Sequence, residues 1–207
     1  NQWISGSQSG GCVPHITVRK NNDDTLFVGS ELCIRSDLII DSGFVHADTS
    51  HVRISGSTNI TGAVTFDILR FINKWNNVQN ITLDSESDLY VTDQLVFGGN
   101  RTMNATGGDI YLQGDLISNS TNGTNVWYGG TTNIYLDGDT TQYISGATHF
   151  GGSLPRIIIN KNNEDTVYVT GEPVVCGRYR WWGGTINTDN GFLGIGRNCR
   201  IDSTCTI

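Results

Sequence analysis

Apolar and polar residues alternate along much of this chain in runs too short for helices. Ile16-Thr17-Val18-Arg19 and Val52-Arg53-Ile54-Ser55 are representative. A period of two turns one side of an extended segment towards a core and the other towards water. Similar runs fall at 25–28, 32–35, 38–40, 44–47, 80–83, 89–92, 94–97, 110–112, 134–136, 156–160, 166–169 and 174–176. Turn signals separate them, among them Asn21-Asn22-Asp23-Asp24, Gly98-Gly99-Asn100 and Asp189-Asn190-Gly191. No stretch keeps apolar residues at i, i+3, i+4 and i+7 for three turns, and the best helical candidate, Phe66 to Trp75, reads equally well as a strand. The pattern predicts an all-β protein whose strands are brief for a long-stranded barrel and suit the faces of a solenoid coil.

Repetition sharpens this. Gln2-Trp3-Ile4-Ser5-Gly6 returns as Gln142-Tyr143-Ile144-Ser145-Gly146, and with one inserted residue near Phe150 the stretches 2–28 and 142–169 share 14 identities in 27 pairs. The register runs on through Gly43/Gly184, Val45/Ile186, Asp48/Asp189 and Ile54/Ile195. A weaker middle copy matches Gly62–Phe66 to Gly146–Phe150. The chain is therefore divided into a first repeat unit over 1–56, a middle unit over 57–140 and a third over 141–207 that is homologous to the first. A shorter step lies within, because Asp109-Ile110-Tyr111-Leu112-Gln113-Gly114-Asp115 recurs 24 residues later as Asn133-Ile134-Tyr135-Leu136-Asp137-Gly138-Asp139. That step is about one coil, so a parallel β-solenoid is the expected fold, with a β-sandwich exchanging edge strands between subunits as the alternative.

Composition narrows the partners. With 26 Gly and 16% charged residues the chain is unlike a typical enzyme, and a net charge of −7 with 13 dispersed cations supplies no nucleic-acid patch. No hydrophobic run is long enough to span a bilayer as a helix. The absence of an initial Met and of a signal sequence points to a processed or fragmentary product.

Five cysteines contain no C-x-x-C pair, which leaves zinc-ribbon and thioredoxin chemistry without footing. Cys12 and Cys33 flank a repeated strand block and would bridge adjacent coils, Cys199 and Cys205 would close a terminal loop, and Cys176 is left over. Sequons occur at Asn59, Asn80, Asn100, Asn104, Asn119 and Asn122, all in the middle unit. Glycans there would face solvent and leave the similar ends covered; the plainer reading is a loop region enriched in Asn and Thr.

The block Ile159-Asn160-Lys161 through Thr166-Val167-Tyr168-Val169, with its counterpart Val18-Arg19-Lys20 through Thr25-Leu26-Phe27-Val28, resembles the secreted bacterial β-strand-repeat proteins of adhesin and surface-fibre type. The resemblance implies an extracellular, non-catalytic and often polymerising protein, and carries over no functional residue.

Candidate sites are few. His15, His46, His51 and His149 sit in unrelated contexts and suggest neither a triad nor a metal site. Asp109, Asp115, Asp137 and Asp139 would share a face if the 24-residue step is a coil, where they would serve turns, a jointly held Ca²⁺, or the acid–base chemistry of a β-helix polysaccharide lyase or hydrolase. No other cofactor is implied. Arg178-Tyr179-Arg180-Trp181-Trp182 is the sharpest local feature, a candidate subunit or glycan contact, its plainer reading being a Trp that caps the core. The expected function is a non-catalytic structural subunit of an extracellular filament or surface assembly that associates with itself head-to-tail through β-edges. A carbohydrate-binding adhesin module and a polysaccharide-cleaving enzyme are the alternatives.

Overall fold

The computed structural model describes residues 2–6, 11–21, 23–73, 78–85, 88–99, 102–120, 128–146, 153–162, 164–175, 178–195 and 199–201. Among them are only strands and turns. In chain order the strands are β1 (Gln2–Gly6), β2 (Ile16–Arg19), β3 (Thr25–Ile34), β4 (Leu38–Ser42), β5 (Phe44–Ile54), β6 (Thr58–Thr61), β7 (Val64–Asn73) and β8 (Val78–Leu83). Next come β9 (Leu89–Gly99), β10 (Thr102–Gly107), β11 (Ile110–Leu112), β12 (Asp115–Ser120), β13 (Tyr128–Gly130), β14 (Asn133–Leu136) and β15 (Gln142–Gly146). The last are β16 (Ser153–Leu154), β17 (Arg156–Asn160), β18 (Thr166–Gly171), β19 (Val174–Val175), β20 (Tyr179–Gly183), β21 (Thr185–Gly191), β22 (Gly194–Ile195) and β23 (Cys199–Ile201).

Every pairing among the described residues is parallel, and together they make a three-faced β-solenoid, not a sandwich. Face 1 stacks β1, the first halves of β3, β5, β7 and β9, then β11, β14, β17, β20 and β23. Face 2 stacks the second halves of those long strands, then β12, β15, β18 and β21. Face 3 carries β2, β4, β6, β8, β10 and β13, then β16, β19 and β22, with β13 touching β16. The 24-residue echo is one coil: Ile110, Tyr111 and Leu112 lie beside Ile134, Tyr135 and Leu136.

The alternating pattern fixes what points inwards. Val64, Phe66, Leu89, Val91, Ile110, Leu112, Ile134 and Leu136 form the face 1 side of a continuous core, and Leu69, Phe71, Leu95, Phe97 and Leu116 the face 2 side. The helical candidate is therefore strand: 66–73 lies in β7, which turns a corner between Phe66 and Ile68 where the register with β9 shifts. Sheets run through both boundaries expected between the units, since β5 pairs β7, β12 pairs β15 and β14 pairs β17.

The duplicated block is not placed on the same faces twice. In the first copy β2 and β4 lie on face 3 and the first halves of β3 and β5 on face 1. Their counterparts β17 and β20 lie on face 1, and β18 and β21 on face 2. The second copy is thus advanced by one face.

Cys12 and Cys33 form a disulfide between adjacent coils, beside the bridge of Val13 to Ile34. Cys176 and Cys205 lie outside the described residues, and of Cys199 only its backbone place in β23 is described.

Candidate functional site

The Arg178–Trp182 segment is divided by the wall. Tyr179 and Trp181 point inwards and are 1% and 2% exposed, at the positions held in the first copy by the buried Leu38 and Ile40. The aromatics there enlarge a core position that already existed, so Tyr179 and Trp181 are withdrawn as surface contacts. Trp181 Nε1 donates to the Gly183 carbonyl at 3.0 Å, which satisfies the indole inside the core. Trp182 is different, because the alternation along β20 turns it to the surface. Ile159 pairs with Trp181 and Asn160 with Gly183, so Trp182 is also the extra residue of a β-bulge. It is 37% exposed, 6.2 Å from the Tyr135 ring, with the Arg180 guanidinium 6.0 Å from its own ring. The first copy has the same bulge, because Val18 pairs with Ile40 and Arg19 with Ser42, and there the extra residue is Asp41, bound by Arg19 Nε at 2.5 Å.

Trp182 joins a row of aromatic side chains on the outside of face 1. Trp3 stacks on Phe27 with centroids 4.8 Å apart, and Tyr90, Tyr111 and Tyr135 stack at 5.3 and 5.0 Å. In-register parallel strands place like residues about 4.8 Å apart, the distance at which rings stack. Burial within the stack, then the carboxylates of Asp88 and Asp109, raise the Tyr111 hydroxyl above its ordinary pKa. Stacking uses the ring faces of the middle members and leaves mainly edges outside. Tyr143 and Tyr168 repeat the Trp3–Phe27 stack at 5.5 Å on face 2.

The four aspartates do not converge. Asp109 Oδ1 accepts from the Asn133 amide Nδ2 at 2.8 Å and Asp115 Oδ1 from the Tyr143 backbone N–H at 2.9 Å, so each ties a strand start to the next coil. Asp37 treats Asn59 in the same way. Asp137 and Asp139 lie in the turn after β14, where the expected common face is broken because β12 pairs with β15 at a 28-residue step, Leu116 with Ile144. Burial raises the Asp137 carboxyl above its usual range, opposed by a backbone hydrogen bond and by Lys161. Lys161 is itself buried and donates to the carbonyls of Gly138 and Thr140, and burial lowers its pKa. Gln142 does similar work one coil earlier, donating to Leu112 O at 2.9 Å and Gly114 O at 2.5 Å. These are corner pins, a role that the turn motif alone did not reveal.

Of the sequons, Asn59, Asn80 and Asn119 are exposed and Asn104 is half-buried; Asn100 and Asn122 lie outside the described residues. Asn80 and Asn104 are register neighbours on face 3, with Asn104 Nδ2 3.5 Å from Asn80 Oδ1. His46 packs against Phe27, His15 meets Thr17 and Asp37, and His149 lies outside the described residues. Among the described residues no group of three or more His, Cys, Asp or Glu is placed to hold a metal ion, and no helix is long and apolar enough to cross a membrane. Comparison with family models, with curated proteins and with solved structures found no match. The fold and surface thus define a three-faced parallel β-solenoid with an outer aromatic row.

Proposed function

We propose that this chain is a non-catalytic structural subunit of an extracellular filament or surface assembly, joined to its neighbours head-to-tail through the ends of the solenoid. The observation that carries this is where core-facing residues lose their cover. The partly buried apolar residues that flank the core are Ile4, Val13, Ile16 and Leu26 in the opening coils and Leu193 in a closing one. Beside them, outward-facing Trp3 in the first coil and Phe192 in a closing one are the most exposed large apolar residues described, at 74% and 66%, and add apolar surface at the two ends. A second solenoid of the same cross-section would cover these residues together with the sheet edge. Because the contact joins unlike ends it does not close, and it propagates. The inter-coil disulfide supports an oxidising, extracellular setting.

Electron microscopy of the purified chain tests this. Filaments or axial stacks are expected, and Ile4→Asp should leave single rods with an unchanged β-sheet spectrum. Monodisperse rods from the unaltered chain at every concentration would overturn the reading.

Exposed Trp182 beside Arg180 supports a second reading, a carbohydrate-binding module. It expects a glycan-array signal that Trp182→Ala abolishes.

A further inference from the structure

Face 2 carries an arginine without a counter-charge among the described residues. In its outward row Arg53 pairs with Arg70, then Arg70 with Val96. Arg53 meets Glu31 at 3.4 Å. Arg70 makes no hydrogen bond or ion pair among the described residues, and its Nε is buried. A half-buried guanidinium held this way has lost hydration without gaining a counter-charge, which is costly unless an anion arrives.

Around it lies an open cleft of about 320 Å³, lined by Arg70, Gln94, Asn119, Ile72, Val96 and Gly98. Gly98 contributes no side chain to this lining. A Cβ there would meet Ile72 Cγ1 at 3.7 Å and Phe71 O at 3.9 Å, ordinary contacts, so a larger residue fits the backbone and fills the space. The lining is chemically mixed. Arginine presents a planar fork that matches a carboxylate. Two primary amides offer donors and acceptors together, as hydroxyl groups require. Ile72 and Val96 give an apolar wall for the C–H face of a ring, and the volume is at the small end of ligand sites.

We propose that this cleft binds a hexuronate unit of an acidic polysaccharide, its carboxylate on Arg70 and its hydroxyls on Gln94 and Asn119. The site is independent of the solenoid ends, and it assigns a matrix ligand to the side of the rod.

The test is titration calorimetry on the full chain, made in a host without N-glycosylation so that Asn119 is bare, with trigalacturonate and its methyl ester as probes. Trigalacturonate should bind at least about tenfold more tightly than the ester, since only the acid forms the charge-assisted pair. Arg70→Gln should bring the acid down to the level of the ester, and Gly98→Val should weaken both probes. Melting curves verify the fold; should Arg70→Gln fail to fold, the acid–ester pair and Gly98→Val decide the question. Equal binding of acid and ester, no binding of the acid, or an Arg70→Gln variant with unchanged affinity would overturn the proposal. So would inorganic sulfate displacing the trimer at equal concentration, which would make Arg70 a general anion contact.

Discussion

Gly43 and Gly184 form the same corner 141 residues apart, at φ 83° and 88°. In each, the preceding turn is closed by an aspartate N–H donating to an asparagine carbonyl, Asp24 to Asn21 at 2.9 Å and Asp165 to Asn162 at 3.0 Å. A Cβ on either glycine would press on a lysine, 2.8 Å from Lys20 Cβ or 2.5 Å from Lys161 Cβ. Gly43→Ala and Gly184→Ala should each therefore cost about 1–3 kcal/mol through left-handed strain and crowding. Gly11→Ala, with nothing within 4 Å of its Cβ, should be near neutral. Urea unfolding of the three variants checks this.

That corner also marks how far the sequence could be read. The Gly43/Gly184 match and the 24-residue step from Ile110 to Ile134 are both visible in the residues, and both are coil geometry. The face each copy occupies was not visible. All three faces ask for the same inward-apolar alternation, so nothing in the block Ile157–Ile159 distinguishes face 1 from the face 3 position of Ile16–Val18. Trp181 and Trp182 were half legible. Period two puts adjacent residues on opposite sides, as β20 does, but which of the two faces the core depends on the register between coils. Arg70 was hidden in an ordinary strand pattern, and only the fold shows its buried Nε without a partner among the described residues.

The two tryptophans should separate cleanly in stability. Trp181→Ala removes one of the largest fully buried side chains and should cost about 3–5 kcal/mol. Trp182→Asp places at the bulge the residue type the first copy carries at Asp41, and should change stability by less than about 1 kcal/mol. Equal losses in thermal melts would refute the placement of Trp181 inside and Trp182 outside the wall.

Reduction of Cys12–Cys33 should be felt locally. The bond closes a loop with a sequence separation of 21, for which chain entropy gives about 3 kcal/mol. Hydrogen exchange after reduction should rise in β2 and the adjacent part of β3, while β11 and β14 keep their protection. Uniform acceleration along the whole stack would show instead that the coils unfold as one unit.

Asp137 should give stability a slope on the acid side. Burial raises its folded pKa above the unfolded value, so the protonated carboxyl fits the corner better than the carboxylate does. Its favourable contribution is fully present below the ordinary carboxylate range near pH 4 and is lost as pH rises through the raised folded value. Asp137→Asn imitates the protonated form. Variant and wild type should therefore have similar urea midpoints near about pH 3 and diverge towards about pH 7, with the variant the more stable. Lys161 carries the same burial penalty at any pH where it stays protonated, so that penalty does not enter the comparison of variant with wild type. A variant less stable at neutral pH would mean that the attraction between Asp137 and Lys161 outweighs the cost of burying the carboxylate.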